Sequence, residues 1–311
     1  MGSYFKTLSL AVLDRNVKVR CKDTETFELL LANYGQMRQE PGTADLHYTV
    51  GRQNASSAFS LKREDQEPLG ASDDSEFLLL FDNDISIELQ KLRTDLFFIH
   101  AAALEFMGEA LMLVGPSGSG KSTTTWGLLH HGFGYLSDEL GPVDLKTLTV
   151  HPYSHALCLK REPPDAYPLP DKTLRTSRTL HVPVKEIPNG VAKGPLPLAA
   201  IFFICHRSEG SEPKVQPISK AAATARLLAN ALNPLAHPGD GLDGAAEIAA
   251  SLACFELVSA DLPETCALVK AALKGISSSA VKHRTPAASG GGRLLNSIGA
   301  LADRTVKRPA I

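Results

Sequence analysis

The run Gly115-Pro116-Ser117-Gly118-Ser119-Gly120-Lys121-Ser122 satisfies G-x-x-x-x-G-K-[ST] at every fixed position. Glycines at this spacing let the backbone curl until successive N–H groups point inward, a cradle for phosphate oxygens. A helix starting at the end of the loop adds its positive N-terminal dipole. Lys121 has the reach and charge for β- and γ-phosphates, the Ser122 hydroxyl suits Mg²⁺, and Thr123 extends the polar first turn. Asp138 follows Ser122 by 16 positions, with Glu139 next to it. That distance accommodates one short helix, a glycine turn at Gly132 and a strand over 134–137. The two carboxylates then stand at the mouth of a strand next to the loop, where one can hold Mg²⁺ or take the proton of an attacking hydroxyl. Asp138 is the first choice as base and Glu139 as metal ligand, an order the residue types do not fix. The alternative for the pair is a surface cap or turn.

The elements that must position these groups read as follows. Two apolar runs, 97–106 and 110–114, flank a turn at Met107-Gly108-Glu109 and predict a β-hairpin feeding the loop. A helix over 121–131 follows, closed by Gly132. Residues 143–150 and 156–159 suggest further strands. The segment 161–197 is rich in Pro and basic residues with weak periodicity, which predicts a long lid-like loop. Residues 198–205 return to a buried strand pattern, and 219–233, 244–253 and 263–273 read as helices. Upstream, 8–13 and 17–21 form a hairpin around Asp14-Arg15-Asn16. Asp23 caps a helix to Asn33, with Gly35 as its left-handed stop, and 46–50 and 58–61 read as strands. Residues 76–92 have helical spacing, although 77–81 fits a strand equally well. The reading is an α/β protein: a small α/β N-terminal domain (1–93), a P-loop domain with a mixed sheet (94–274), and a flexible basic tail (275–311).

The stretch His100-Ala101-Ala102-Ala103-Leu104, the hairpin, the P-loop and Gly132-Phe133-Gly134-Tyr135-Leu136-Ser137-Asp138-Glu139 together resemble the catalytic domain of HPr kinase/phosphorylase. They are closer still to the kinase-related proteins grouped with it. The resemblance covers about residues 97–160. It implies a fold like the nucleotide domain of phosphoenolpyruvate carboxykinase. It also implies that His100 lies close to the phosphates, and that Asp138 and Glu139 bind Mg²⁺ and act as base. Two departures stand out: the bifunctional enzyme usually carries two Asp residues where this chain has Asp138-Glu139, and its downstream glycine-rich signature has no match here. Some relatives phosphorylate a serine on ribosomally made peptides, so the resemblance points to ATP and Mg²⁺ as cofactors. The expected acceptor is a protein or peptide serine. Read without the resemblance, His100 is a hydrogen-bonded histidine at the edge of a core strand.

Composition bounds the remaining classes. The chain has 311 residues, 43% hydrophobic and 21% charged, with a formal net charge of −2. That is a globular composition, with no basic excess to suggest a nucleic-acid partner. No apolar run approaches the ~20 residues that span a bilayer, and no secretory signal is visible, so a soluble, cytoplasmic protein is expected. Five scattered cysteines without a C-x-x-C pair fit reduced, mostly buried thiols. Lys160, Arg161, Arg175 and Arg178 are candidates for phosphate or acceptor contacts, or solvated loop residues. His151 and His155 flank Pro152 and read as loop residues, and His130-His131 meet the dipole of the preceding helix. In the tail, Leu294, Leu295, Ile298 and Leu301 share a face if helical. A small-molecule P-loop kinase and a non-catalytic ATP-sensing regulator are the alternatives, and self-association into a homo-oligomer stays open. The small-molecule kinase would need a parallel strand, not an antiparallel hairpin, before the loop.

Overall fold

A computed structural model describes residues 5–53, 58–64, 66–207 and 211–284. Of the expected tail at 275–311, residues 275–284 are helical, the end of a helix that starts at Leu262. The part beyond 284, with Leu294, Leu295, Ile298 and Leu301, lies outside the described residues.

Residues up to Leu92 build the first sheet, of order β1-β2-β3-β4-β5: β1 (Lys6–Val12), β2 (Arg15–Cys21), β3 (Leu46–Arg52), β4 (Phe59–Arg63) and β5 (Leu69–Ala71). The β1–β2 turn is Leu13-Asp14, both at positive φ, one step earlier than the sequence suggests. Helix α1 (Thr24–Tyr34) is capped by Asp23, whose carboxylate accepts from the Thr26 N–H at 2.8 Å. Gly35 is not a left-handed stop. Its φ is −61°, and the chain runs on into a short 3₁₀ turn. Helix α2 (Asp74–Leu92) settles the ambiguity at 77–81. Phe77, Phe81, Ile85 and Leu89 fall on one buried stripe, and Phe77 stacks on Phe59 with centroids 4.6 Å apart.

The second sheet has eight strands: β6 (Leu96–Phe106), β7 (Glu109–Val114), β8 (Gly134–Ser137), β9 (Leu140–Asp144), β10 (Thr149–Val150), β14 (Leu196–His206), β15 (Lys214–Pro217) and β16 (Ala253–Ser259). Its order is β10-β9-β6-β7-β14-β16-β15, with β8 also on β6. The remaining strands, β11 (Leu157–Leu159), β12 (Leu174–Arg175) and β13 (Leu180–Val182), form a small sheet of their own. The expected hairpin is present: β6 and β7 are antiparallel, and β7 pairs in parallel with β14 on its other side. The sheet is therefore mixed, and buried on both faces as its near-continuous apolar strands require. Alternate residues of one face (Leu104, Leu111, Leu113, Phe202) pack under α3 (Lys121–His130) and α6 (Leu262–Arg284). Those of the other face (Ala103, Met112, Val114, Ile201) pack under α4 (Lys220–Ala229) and α5 (Leu242–Ser251). Residues 143–150 are not one strand: β9 and β10 are joined through Leu148 at φ 52°. Strand β16 differs from the expectation, which ends a helix at Ala253 and places no strand after it. No helix among the described residues is long and apolar enough to cross a membrane.

The sheets change between Leu92 and Leu96, but apolar packing does not stop there. Phe98, Leu140 and Tyr153 belong to the same core as the N-terminal strands, and the Tyr34 and Tyr153 hydroxyls both donate to Asp82 Oδ1 at 3.0 Å.

The segment 161–197 differs from a structureless lid. It contributes β12 and β13, and Tyr167, Val182, Val184 and Ile187 are buried in the core beneath α3. Trp126 Nε1 donates to the Tyr167 carbonyl at 2.9 Å, and the Ala192 N–H to Tyr135 at 2.9 Å. Its prolines and weak periodicity hide these anchors because each is an isolated apolar residue. Within it, His181 is buried against Thr179 Oγ1 at 2.8 Å, and burial, with the nearby His155, pushes its imidazole down to about 4. A depressed histidine favours the folded state above its unfolded pKa and loses that advantage as pH falls toward the folded one. Stability should therefore drop by roughly 3 kcal/mol between about pH 6.5 and 4 on this account. Denaturant titrations of wild type and His181→Gln over that range test it, because only the wild type should carry this part of the acid loss. Parallel curves for the two proteins would refute it.

Candidate functional site

Strands β7, β8, β14 and β16 point the same way, so their C-terminal ends share one edge of the sheet. The Gly115–Gly120 loop leaves that edge after Val114. Gly115 sits so close to the neighbouring strand that a Cβ there would meet the Ile204 carbonyl at 2.8 Å. Gly120, just ahead of α3, has φ +94°, a conformation glycine adopts without steric cost. Lys121 opens α3 with a side chain folded back over the loop. Its Nζ donates to the carbonyls of Gly115 (2.7 Å) and Pro116 (3.3 Å). Burial lowers its pKa, and the nearby Glu139 and Asp138 charges work in the other direction.

The register of β6 explains why two acids stand together here. Strands β8 and β9 both lie antiparallel to the same side of β6, β8 opposite Ala103–Glu105 and β9 opposite Leu96–His100. Asp138 and Glu139 are the step between them and are not part of either ladder. This also corrects the expected neighbourhood: β6 intervenes between the acid-bearing strand and β7. The carboxylate nevertheless reaches the loop, and Ser122 Oγ donates to Asp138 Oδ2 at 3.1 Å. The Cys158 N–H from β11 donates to the same oxygen at 3.1 Å, while Oδ1 is buried without a partner. Asp138 has no exposed surface, and burial, then the Glu139 charge, pushes its carboxyl up to about 8.

Glu139 is different. Its side chain is 41% exposed, and Oε2 lies 2.9 Å from His100 Nε2 on β6. Partial burial opposes its charge, but the His100 hydrogen bond, with the His100, Lys121 and His155 charges, outweighs this and lowers its pKa. His100 is thus a hydrogen-bonded histidine on a core strand, and its partner is the second acid.

The structure brings together Gly115 to Ser122, Thr123 half-buried in the first turn of α3, His100, Asp138 and Glu139. Lys160 joins them, its Nζ bonded to Ser117 Oγ. Arg175 is paired with Glu162, and Ser177, beside Arg178, bonds Asp73 at the start of α2. At the far end of α3 the cation is Lys270, which donates to the His131 carbonyl at 2.9 Å. His130 is pushed toward its neutral form by burial, contrary to a simple dipole role. Ser119, one of the loop residues the motif contains, has its hydroxyl buried without a partner. The sequence missed the residues that flank Gly120, His206 and Ser259. The last two lie at the ends of strands far apart in sequence, and no local signal marks them.

No protein-family model matches the chain, and no curated protein matches it. Among solved structures it is similar to the Hpr(Ser) kinase/phosphatase from Coxiella burnetii, at 9% identity and a TM-score of 0.29, over 60% of this chain and 99% of that one. A likeness this distant assigns no residue a role.

Proposed function

We propose that the chain is a P-loop phosphotransferase of the kinase type, moving the γ-phosphoryl group of ATP to a hydroxyl, with a serine on a protein or peptide as acceptor. The observation that carries this reading is the Ser122–Asp138 hydrogen bond at the end of a glycine loop, beside a second acid paired with His100. A loop built only to bind a nucleotide has little need for the His100–Glu139 pair. A small-molecule kinase would not feed the loop from an antiparallel hairpin, whereas β7 is the second strand of one and is parallel only to β14 on its other side.

The donors fit Mg²⁺. Ser122 Oγ and the unpartnered Asp138 Oδ1 are hard oxygens, with the Glu139 carboxylate adding negative charge beside them. The ion takes one or two carboxylates and completes its shell with water and phosphate. Among the described residues, no group of three or more His, Cys, Asp and Glu could hold a metal alone, in keeping with an ion that arrives with its nucleotide. Bound there, Mg²⁺ would neutralise β- and γ-phosphate oxygens.

The loop N–H groups cradle the phosphates, and Lys121 turns its Nζ from the two carbonyls to the β- and γ-oxygens. Of the two acids, we assign Asp138 to the metal side, because it is fully buried and tied to Ser122 and Cys158. The more exposed Glu139 takes the proton from the acceptor hydroxyl, reversing the order of first choice. As that proton leaves, the hydroxyl oxygen bonds to the γ-phosphorus and the bond to the β–γ bridging oxygen breaks, its electron pair departing with ADP. His100 holds the Glu139 carboxylate in place.

The test is transfer of label from γ-labelled ATP to serine-containing peptides. Glu139→Gln should slow transfer by about 10²–10⁴-fold while nucleotide affinity changes little. Full activity in this variant would remove Glu139 as base, and label released only to water by the wild type would remove the kinase reading.

A further inference from the structure

The carboxylates stand on one flank of the Gly115–Gly120 loop. The other flank is made by the ends of β14 and β16, which run parallel to β7 and finish together, His206 opposite Ser259. His206 Nδ1 lies 3.3 Å from Ser259 Oγ, and the Arg207 N–H donates to the Ser259 carbonyl at 2.9 Å. Ser259 is buried, while His206 and Arg207 are exposed. This pair touches the loop: a side-chain carbon on Gly120 would come within 3.3 Å of both His206 Cβ and Ser259 Oγ. Beside it opens a hollow of about 380 Å³, with Arg207, Lys214, Gln216, Glu256 and Val258 in its walls. That volume is typical of ligand pockets, which run to about 300–1,000 Å³.

A nucleotide whose phosphates fill the loop has two ends to place. Its γ-phosphate belongs with Ser122, Asp138 and Glu139, where proton and metal are handled. The nucleoside must then leave over the opposite flank, beyond the carboxyl ends of parallel strands, where open α/β sheets take their ligands. We infer that His206 and Arg207, with Ser259 steadying the imidazole, form the nucleoside side of the site and take the base and ribose of a purine nucleotide. The imidazole and the guanidinium are both flat and exposed, the side-chain types that stack on a base. This assignment rests on the phosphotransferase reading and extends it.

Calorimetry with two probes separates the two: Mg-ATP, and inorganic tripolyphosphate with Mg²⁺, which offers a phosphate chain without a nucleoside. His206→Ala and Arg207→Ala change exposed side chains and should each weaken ATP binding on the order of tenfold, leaving tripolyphosphate unaffected. Unchanged ATP affinity in the double variant would overturn the inference, as would equal weakening of both probes, because the residues would then serve phosphate. A wild-type protein that binds neither probe would bring down the phosphate-loop reading itself, and this one with it. As a second measurement, 8-azido-ATP should label peptides from 196–207 or 253–261, and exclusive labelling elsewhere counts against the assignment.

Discussion

Replacing Lys121 with alanine should reduce phosphoryl transfer by about 10³-fold or more and weaken Mg-nucleotide binding by on the order of tenfold to a hundredfold. Two facts set the size of this effect. Lys121 Nζ is nearly enclosed and already satisfied by the Gly115 and Pro116 carbonyls, so it sits within the curl of the loop. Its charge is also disfavoured by burial, and an anionic ligand would offset that cost as the side chain turns toward it. Lys121→Arg should fail almost as badly, because a planar fork needs more room than the loop leaves a point charge. Single-turnover transfer and nucleotide titration check both variants. A Lys121→Ala protein that still phosphorylates at the wild-type rate would remove the loop from the chemistry.

How much of this could be read without coordinates depends on how local each signal is. The hairpin, the loop and α3 are contiguous, and each carries its own mark: alternating apolar runs, a fixed glycine spacing, and Gly132 at φ +93° after the helix. Asp138 was legible for the same reason, being one helix and one strand downstream. The pairing of Glu139 with His100 was not, because it depends on β9 lying along the first half of β6, a register set by contacts 39 residues apart. Strand β16 failed differently. Residues 244–253 have helical spacing that runs into Cys254 with no glycine or proline between, so the strand begins where tertiary pairing with β14 takes over from local preference. His206 and Ser259 become neighbours only through that pairing. The segment 161–197 has composition suited to a loop, yet Tyr167, Val182 and Ile187 tie it to the core at widely spaced points. Composition reports how often a segment is anchored poorly, and a few buried side chains are enough to hold it.

Asp138→Asn separates metal binding from proton transfer, and its expected result follows from which oxygen does what. Oδ2 accepts from Ser122 and from the Cys158 N–H, and Oδ1 is buried and unpartnered. An asparagine can keep both of the first bonds only by placing its carbonyl oxygen at the Oδ2 position. Its NH₂ group then occupies the place of Oδ1, turning a would-be metal ligand into a donor that repels a cation. Affinity for Mg-ATP should fall by about tenfold or more, and added Mg²⁺ should recover part of it, while metal-free tripolyphosphate binds at least as well as before. The fold itself should not suffer. Burial raises the Asp138 carboxyl from its usual value to about 8, so ionising it costs stability progressively as pH rises between those two values. The neutral amide escapes that cost, and the nucleotide-free variant should melt at or above the wild-type temperature at pH 8. A variant that melts lower without ligand would make Asp138 a structural residue. One that binds Mg-ATP normally but transfers no phosphate would return the role of base from Glu139 to Asp138.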